Sequence, residues 1–112
     1  MTESFYNKNE QDRQRKIQER YDRNKKLRIS DLRKVLSIPE GRRTIWSILT
    51  KAKVFADAFS PNALEMAKNE GERSVGINLL SDILEAESKS FYQMYAEEMS
   101  RIKAEKKEET HE

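Results

Sequence analysis

The chain contains no cysteine, one histidine, two prolines and three glycines among its 112 residues. Without cysteine it has neither disulfides nor thiolate chemistry, which fits assembly in a cytoplasm. No run of 18 apolar residues is present, and the first residues lack the apolar core of a signal peptide, so we expect neither a membrane span nor secretion. The histidine, His111, lies in a polar stretch, where we expect an incidental residue rather than a ligand.

Motifs for catalysis, nucleotides and metals are also missing. Acidic pairs such as Glu70 with Glu72 occur, but none lies beside a histidine or lysine in a pocket-forming context. The Glu-x-x-His repeats that bind metals between facing helices are absent as well. The sequence therefore predicts no enzymatic activity, no cofactor and no metal site.

Charge is abundant and unevenly distributed. Charged residues make up 38% of the chain; residues 1–43 hold 13 Lys/Arg against 7 Asp/Glu, whereas residues 44–112 hold 9 against 13. A basic head (residues 1–43) on an acidic body (residues 44–112) indicates that the head binds a negatively charged partner, or that the head of one copy contacts the body of another. The simpler alternative is a solvated, charged helix.

The apolar periodicity predicts an all-α protein, because no segment alternates with the period of a strand. We expect a small helical bundle with a long, basic, polar N-terminal helix or arm (residues 1–29), a helical core (30–103) and a disordered charged tail after the last helix (104–112). The arm holds acid-before-base pairs that favour helix, such as Asp12 with Lys16. Its apolar content is low, so we expect the arm to be frayed when free and ordered on assembly.

Capping signals give the expected boundaries of the first core helices. Ser30 is a candidate N-cap for a short helix. The tetrapeptide Ser37–Glu40 matches a capping box, with proline in the first turn, for a second helix that runs to about Lys53.

A joint and two further helices are expected after that. Residues 54–59 form the joint, whose Phe55 and Phe59 should fill the core. Ser60-Pro61 predicts the start of the longest core helix, which runs to about residue 86. The last helix begins near Ser88.

Two neighbouring apolar stripes lie on the longest helix, and the last helix carries a narrow seam that is typical of helix pairing. The first stripe comprises Leu64, Ala67, Gly71, Val75 and Leu79, and its neighbour comprises Gly76, Leu80, Ile83 and Leu84. The residues expected to be buried are Trp46, Leu49, Leu79, Leu80 and Ile83. Because glycine costs about 1 kcal/mol relative to alanine inside a helix, Gly71 and Gly76 should each meet another helix, from the same or a neighbouring chain.

Twelve residues are candidates for contacts with a partner or with further copies. Arg42, Arg43 and Arg73 either form ion pairs inside the fold, as Arg43 would with Glu40, or bind phosphate or a partner carboxylate. The other candidates lie on the arm, at the helical glycines and on the seam of the last helix: Ile17, Arg20, Tyr21, Arg23, Gly71, Gly76, Met94, Tyr95 and Met99.

Several short blocks of sequence form a pattern together. They are Leu-x-x-x-Leu-Ser-x-Pro at 32–39, Gly-Arg-Arg-x-Ile-Trp-x-Ile-Leu at 41–49, Phe-x-x-x-Phe at 55–59, Asn-Glu-Gly-x-Arg-Ser-Val-Gly at 69–76 and Ile-x-Glu-Ala at 83–86. In this combination the chain resembles a family of small phage domains named after a protein of a podovirus that infects Bordetella. That family commonly has a proline after the last block, where this chain has Glu87-Ser88-Lys89.

The resemblance covers about residues 31–100 and implies a virion-associated component of a short-tailed phage without enzymatic activity. We therefore expect a multi-copy structural protein at the portal, internal core or tail vertex, linked to genome packaging or ejection. Its expected partners are other virion proteins (portal, tail adaptor or internal core) and further copies of itself. It would reside in the virion and, before assembly, in the host cytoplasm.

Two alternatives remain open. The arm carries eight Lys/Arg residues between positions 13 and 28, which would contact a DNA backbone without reading sequence, as in a DNA-packing or regulatory protein. Interleaved acidic residues weaken that positive field. The other alternative is an accessory factor that binds a host protein and never enters the particle.

Overall fold

The chain forms three helices in the computed structural model, which describes residues 2–56 and 58–111. They are α1 (Thr2–Leu36), α2 (Pro39–Lys51) and α3 (Ala63–His111). No strand occurs in these two described ranges, and the predicted all-α class is confirmed. The extended backbone of Glu87 (φ −165°, ψ 98°) interrupts α3, so we refer to a first segment (63–86) and a second segment (88–111).

Helix α1 is continuous, and the predicted break at Ser30 is wrong. No glycine or proline precedes residue 39, so nothing in this stretch forces a helix to end. Ile29, Leu32 and Leu36 follow each other at helical spacing and are all buried in the core. Their packing carries the helix through Ser30.

The turn between α1 and α2 uses a different cap from the predicted one. Ile38, with extended backbone (φ −118°, ψ 146°), is the N-cap and makes no side-chain capping bond. The Ser37 hydroxyl instead donates to the carbonyl of Lys34 at 2.5 Å. Pro39 occupies the first turn of α2 as predicted. Gly41 lies so close to α1 that an added Cβ would sit 1.8 Å from the carbonyl oxygen of Val35.

Helix α2 ends two residues earlier than expected, in a motif built on a lysine. Lys53 has a left-handed backbone (φ 60°), and the N–H groups of Val54 and Lys53 donate to the carbonyls of Leu49 and Thr50 at 3.2 and 3.0 Å. This is the Schellman arrangement, in which glycine usually takes the left-handed position. The Lys53 ammonium then bonds to α3, with 2.5 Å to Asn69 Oδ1 and 3.0 Å to Glu72.

The joint (residues 52–62) is irregular as predicted, but its two phenylalanines do not fill the core. Phe55 is 53% exposed and Phe59 is 72% exposed. The smaller Val54 and Ala58 are buried instead, because the Lys53 turn directs this part of the joint against α3. Asp57 lies outside the described residues.

Asn62, rather than Ser60, caps the first segment of α3. The Asn62 Oδ1 accepts hydrogen bonds from the backbone N–H groups of Leu64 and Glu65 at 2.9 and 3.1 Å. The Ser60 hydroxyl accepts from the N–H of Asn62, which precedes the helix. The helix therefore begins at Ala63.

The core lies where the end of α1, α2 and the middle of α3 meet. Leu49 and Ile83 are fully buried as predicted, whereas Trp46, Leu79 and Leu80 are half-buried at its edge. The fully or largely buried apolar cluster is Ile29, Leu32, Leu36, Ile45, Leu49, Val54, Ile83, Ala86 and Met94.

Apart from Leu79 at its end, the first predicted stripe of α3 is not part of this core. Leu64 is 84% exposed and Val75 is 68% exposed, and Ala67 and Gly71 are exposed as well. The joint packs on the other side of the helix, at Gly76, where an added Cβ would lie 2.4 Å from Val54 Cγ2 and 2.7 Å from Ala52 Cβ.

The interruption of α3 is held by side chains rather than by a proline. The Arg33 Nε donates to the carbonyl of Ala86 at 2.9 Å, which places a cation at the C-terminus of the first segment. The Glu87 carboxylate accepts from the N–H of Lys89 at 3.4 Å and begins the second segment. The predicted start of a last helix near residue 88 is confirmed.

The second segment runs to His111, whereas a disordered tail was expected from residue 104 onward. Arg101 pairs with Glu105 at 2.9 Å one turn later, and the Thr110 hydroxyl donates to the carbonyls of Lys106 and Lys107. Such contacts between successive turns favour helix in a polar sequence.

The molecule is long and flat. Its Cα atoms span 83 × 40 × 15 Å, and their radius of gyration is 20.9 Å, against about 13 Å for a compact domain of this length.

Candidate functional site

An apolar groove lies on the surface between α2, the joint and the second segment of α3. Six side chains line what we call the aromatic groove: Trp46, Phe55, Phe91, Tyr92, Tyr95 and Met99. The Trp46 ring is stacked on Phe55 with centroids 5.1 Å apart, and its centroid is 6.3 Å from those of Phe91 and Tyr95. Trp46 therefore anchors the groove from the edge of the core.

The rings of the groove are largely open to solvent. Phe55, Tyr92 and Tyr95 are exposed by 53%, 69% and 51%. Contiguous exposed aromatic surface of this kind is typical of a protein–protein interface, since aromatic side chains are enriched there. Sequence reasoning had assigned Phe55 to the core and did not single out Tyr92.

The groove continues along α2 and α3 with a basic rim. The added lining residues are Arg43, Ser47, Thr50, Lys51, Glu98, Arg101 and Ile102. Arg101 pairs with Glu98 and Glu105, and the hydrogen bond to Glu98 raises the pKa of the Arg101 guanidinium further. Lys51 has no ion pair within the described ranges, so its ammonium is available to a partner, whereas Arg43 is already paired with Glu40.

The polar arm is a helical extension that the body does not cover. Residues 7–24 are exposed throughout. Arg13 and Arg15 pair with acidic residues of their own helix. The structure leaves Arg20 and Arg23 without an ion pair in the described part of the chain, and Ile17 and Tyr21 are 51% and 58% exposed. These four candidates therefore remain accessible to a partner.

The arm joins the body through two ion pairs with the first segment of α3. Lys25 lies 3.4 Å from Glu85, and Arg28 lies 3.1 Å from Asp82. A contact between basic head and acidic body thus exists within one chain. The uncovered part of the arm ends near residue 24 rather than residue 29.

The three singled-out arginines have different surroundings. Arg42 is 8% exposed; its Nε lies 3.0 Å from Glu97 Oε1, and its Nη1 donates to the carbonyl of Leu36 at 3.0 Å. Arg43 forms the expected pair with Glu40, at 3.8 Å and in solvent. Arg73 is half-buried, and its Nε has no hydrogen-bond partner in the described chain. Arg42 is thus a structural residue, while Arg43 lines the groove.

The two helical glycines and the residues of the seam on the last helix also differ in their surroundings. Gly76 meets the joint instead of the other helix that was expected, and an added Cβ at Gly71 would have open space around it within 4 Å. Met94 is 2% exposed, so its assignment to a partner contact is wrong: it packs in the chain's own core. Tyr95 and Met99 lie in the groove and stay accessible.

No group of His, Cys, Asp and Glu side chains in the described residues is placed to hold a metal ion. Among the helices described, none is long and apolar enough to cross a membrane. The side chain of His111 lies outside the described part. The candidate interaction sites are therefore three exposed surfaces: the aromatic groove, the exposed stripe of α3 and the basic arm.

Comparison with known families gives a match. The model of a family described as Bbp19-like phage protein matches residues 32–95, which is more than half of the chain and contains α2, the joint and most of the groove. Comparisons with curated proteins and with solved structures gave no match.

Proposed function

We propose, from the fact that the chain belongs to the Bbp19-like phage protein family, that it is a non-enzymatic structural protein of the phage particle. It acts in multiple copies at the portal, internal core or tail vertex, in genome packaging or ejection. Its partners there are other virion proteins and further copies of itself.

The observation that best supports this proposal is that the chain has more solvent-accessible surface than a compact monomer of its mass. The chain exposes 9156 Å², whereas a compact monomer of 13.2 kDa exposes about 6400 Å². The difference exceeds the area that a standard protein–protein interface buries in total, about 1,200–2,000 Å². The projecting arm accounts for part of it, and the aromatic groove and the apolar stripe of α3 belong to the rest. Such a chain is suited to being covered by partners.

The arm fits this role as a tether. Its exposed face carries Lys16, Arg20 and Arg23 at positions i, i+4 and i+7, so the three lie along one side of the helix. They are complementary to an acidic protein surface or to the backbone of packaged DNA. Each contact of this kind is weak, but many copies in one particle would act together.

An infection experiment tests the proposal. A stop codon in the reading frame, in a host that does not suppress it, should leave phage DNA synthesis and late protein synthesis normal while the yield of infectious particles falls by more than an order of magnitude. Supplying the full chain from a plasmid should restore the yield. A chain lacking residues 1–20 should not restore it, although it keeps the Lys25 and Arg28 contacts that join arm and body.

The same infection also distinguishes the alternatives. An unchanged yield would overturn the proposal. A loss of DNA synthesis or of late proteins before any particle forms would point instead to a regulatory, DNA-binding or host-directed role.

A further inference from the structure

Among the described residues, two exposed apolar surfaces are not covered by the rest of the chain. One is the aromatic groove. The other, which we call the α3 stripe, comprises Leu64, Ala67, Gly71 and Val75. We propose that the α3 stripe of one copy docks into the aromatic groove of the next, so that copies join head to tail. This inference deepens the proposed function and rests on it.

The two surfaces match in length. The α3 stripe runs from Leu64 to Val75, and the helical wall of the groove runs from Phe91 to Ile102. Each covers eleven helical steps, about 16 Å. A helix that lays apolar residues at this spacing into an apolar groove is a recurrent mode of recognition.

Gly71 sets how closely the two helices approach. It lies in the middle of the stripe, and an added Cβ would meet nothing within 4 Å in its own chain. A helical glycine without an intrachain contact costs stability, whereas in a helix pair it lets the backbone reach the aromatic rings. Leu64 and Val75, 84% and 68% exposed, would fill the groove on either side.

The charges beside the two surfaces are complementary. Next to the α3 stripe, Glu65 and Glu70 have no ion pair in the part of the chain that the structure describes. In the lining of the groove, Arg43 is paired with Glu40 and Arg101 is paired with Glu98 and Glu105, whereas Lys51 has no ion pair in the described ranges. The acidic residues beside the incoming helix would therefore meet the unpaired Lys51.

One chain cannot make this contact with itself. The joint, which supplies Phe55 to the groove, packs on α3 at Gly76. Gly76 is five residues from Gly71, which places it about 140° away around the helix. The stripe thus faces away from the joint. A contact between different patches on two copies is heterologous, and it produces rings or open filaments rather than only dimers.

Mixing two variants tests the pairing directly. Val75→Glu puts a charge in the stripe, and Tyr95→Glu puts one in the groove; both positions are exposed, so the chain should still fold. In light scattering after gel filtration, the wild type should form species larger than one chain, and each variant alone should stay at the 13.2 kDa of a monomer. An equal mixture should give a two-chain complex and nothing larger, because only one stripe and one groove remain intact.

Leu27→Glu is the matched control, since Leu27 is 62% exposed and lies outside both surfaces; it should assemble like the wild type. Should circular dichroism show that either variant does not fold, Gly71→Leu replaces the stripe variant and Tyr92→Glu replaces the groove variant.

Three results would overturn the head-to-tail contact. They are a wild type that stays monomeric at every soluble concentration, a Val75→Glu variant that assembles normally because the groove pairs with itself, and an equal mixture that stays monomeric. This experiment uses purified protein, so a negative result would contradict the head-to-tail contact alone. The proposed function is tested independently by the infection experiment.

Discussion

Gly41→Ala should unfold this protein or lower its stability by about 3 kcal/mol or more. The methyl group would sit 1.8 Å from the carbonyl oxygen and 2.8 Å from the carbonyl carbon of Val35. Both are backbone atoms, so α1 and α2 must move apart to admit it. At roughly 4–8 °C per kcal/mol for a domain near this size, the melting temperature followed by circular dichroism should fall by more than about 12 °C.

The other two glycines provide the comparison. At Gly76 an added Cβ would meet Val54 Cγ2 at 2.4 Å and Ala52 Cβ at 2.7 Å, so Gly76→Ala should destabilise by about 1–3 kcal/mol. At Gly71 the space is open, and Gly71→Ala should stabilise the isolated chain by up to about 1 kcal/mol through helix propensity. Equal effects at Gly41 and Gly71 would show that the close approach of α1 and α2 is wrong.

Arg42→Met should be the second large loss, about 2–4 kcal/mol in the free energy of unfolding. The guanidinium joins three helices, since it lies on α2, donates to the Leu36 carbonyl of α1 and pairs with Glu97 of α3. Methionine would preserve the volume but leave that carbonyl without this donor. Glu97 is partly solvated, with 37% of its side chain exposed, which keeps the loss below that of a fully buried pair.

Arg43→Met is the control for the arginine experiment. Its pair with Glu40 spans 3.8 Å between side chains that are 57% and 71% exposed, so the change should be within about 0.5 kcal/mol. Urea denaturation of both variants measures the difference. If the two substitutions cost the same, Arg42 does not hold the three helices together.

Hydrophobic periodicity, together with capping residues and prolines, predicted the helices, the joint and the interruption of α3 near residue 88. They failed where a tertiary contact overrode a local signal. Ser30 and Ser60 are reasonable caps by residue type, yet packing of Leu32 and Leu36 extends α1, and Asn62 caps α3. Lys53 occupies a left-handed position usually taken by glycine, so the turn that directs Val54 to Gly76 had no sequence signature.

The candidate site was predictable only in part. Tyr95 and Met99 were identified from their helical spacing, but an apolar stripe in a sequence does not reveal whether its own chain or another copy covers it. The contact predicted at Gly71 was therefore left open between the same chain and a neighbouring one, and in the structure Gly71 is exposed. One available signal was overlooked: five of the nine aromatic residues lie in the groove, more than so small a core needs.

The central claim, that this chain is a multi-copy component of the phage particle, is tested most directly by counting it in purified virions. Quantitative mass spectrometry with isotope-labelled peptides from the chain and from the major capsid protein gives the number of copies per particle. The account predicts several copies in every particle, at a constant ratio across repeated density-gradient purifications. A chain that is abundant in infected cells but absent from purified virions would contradict it.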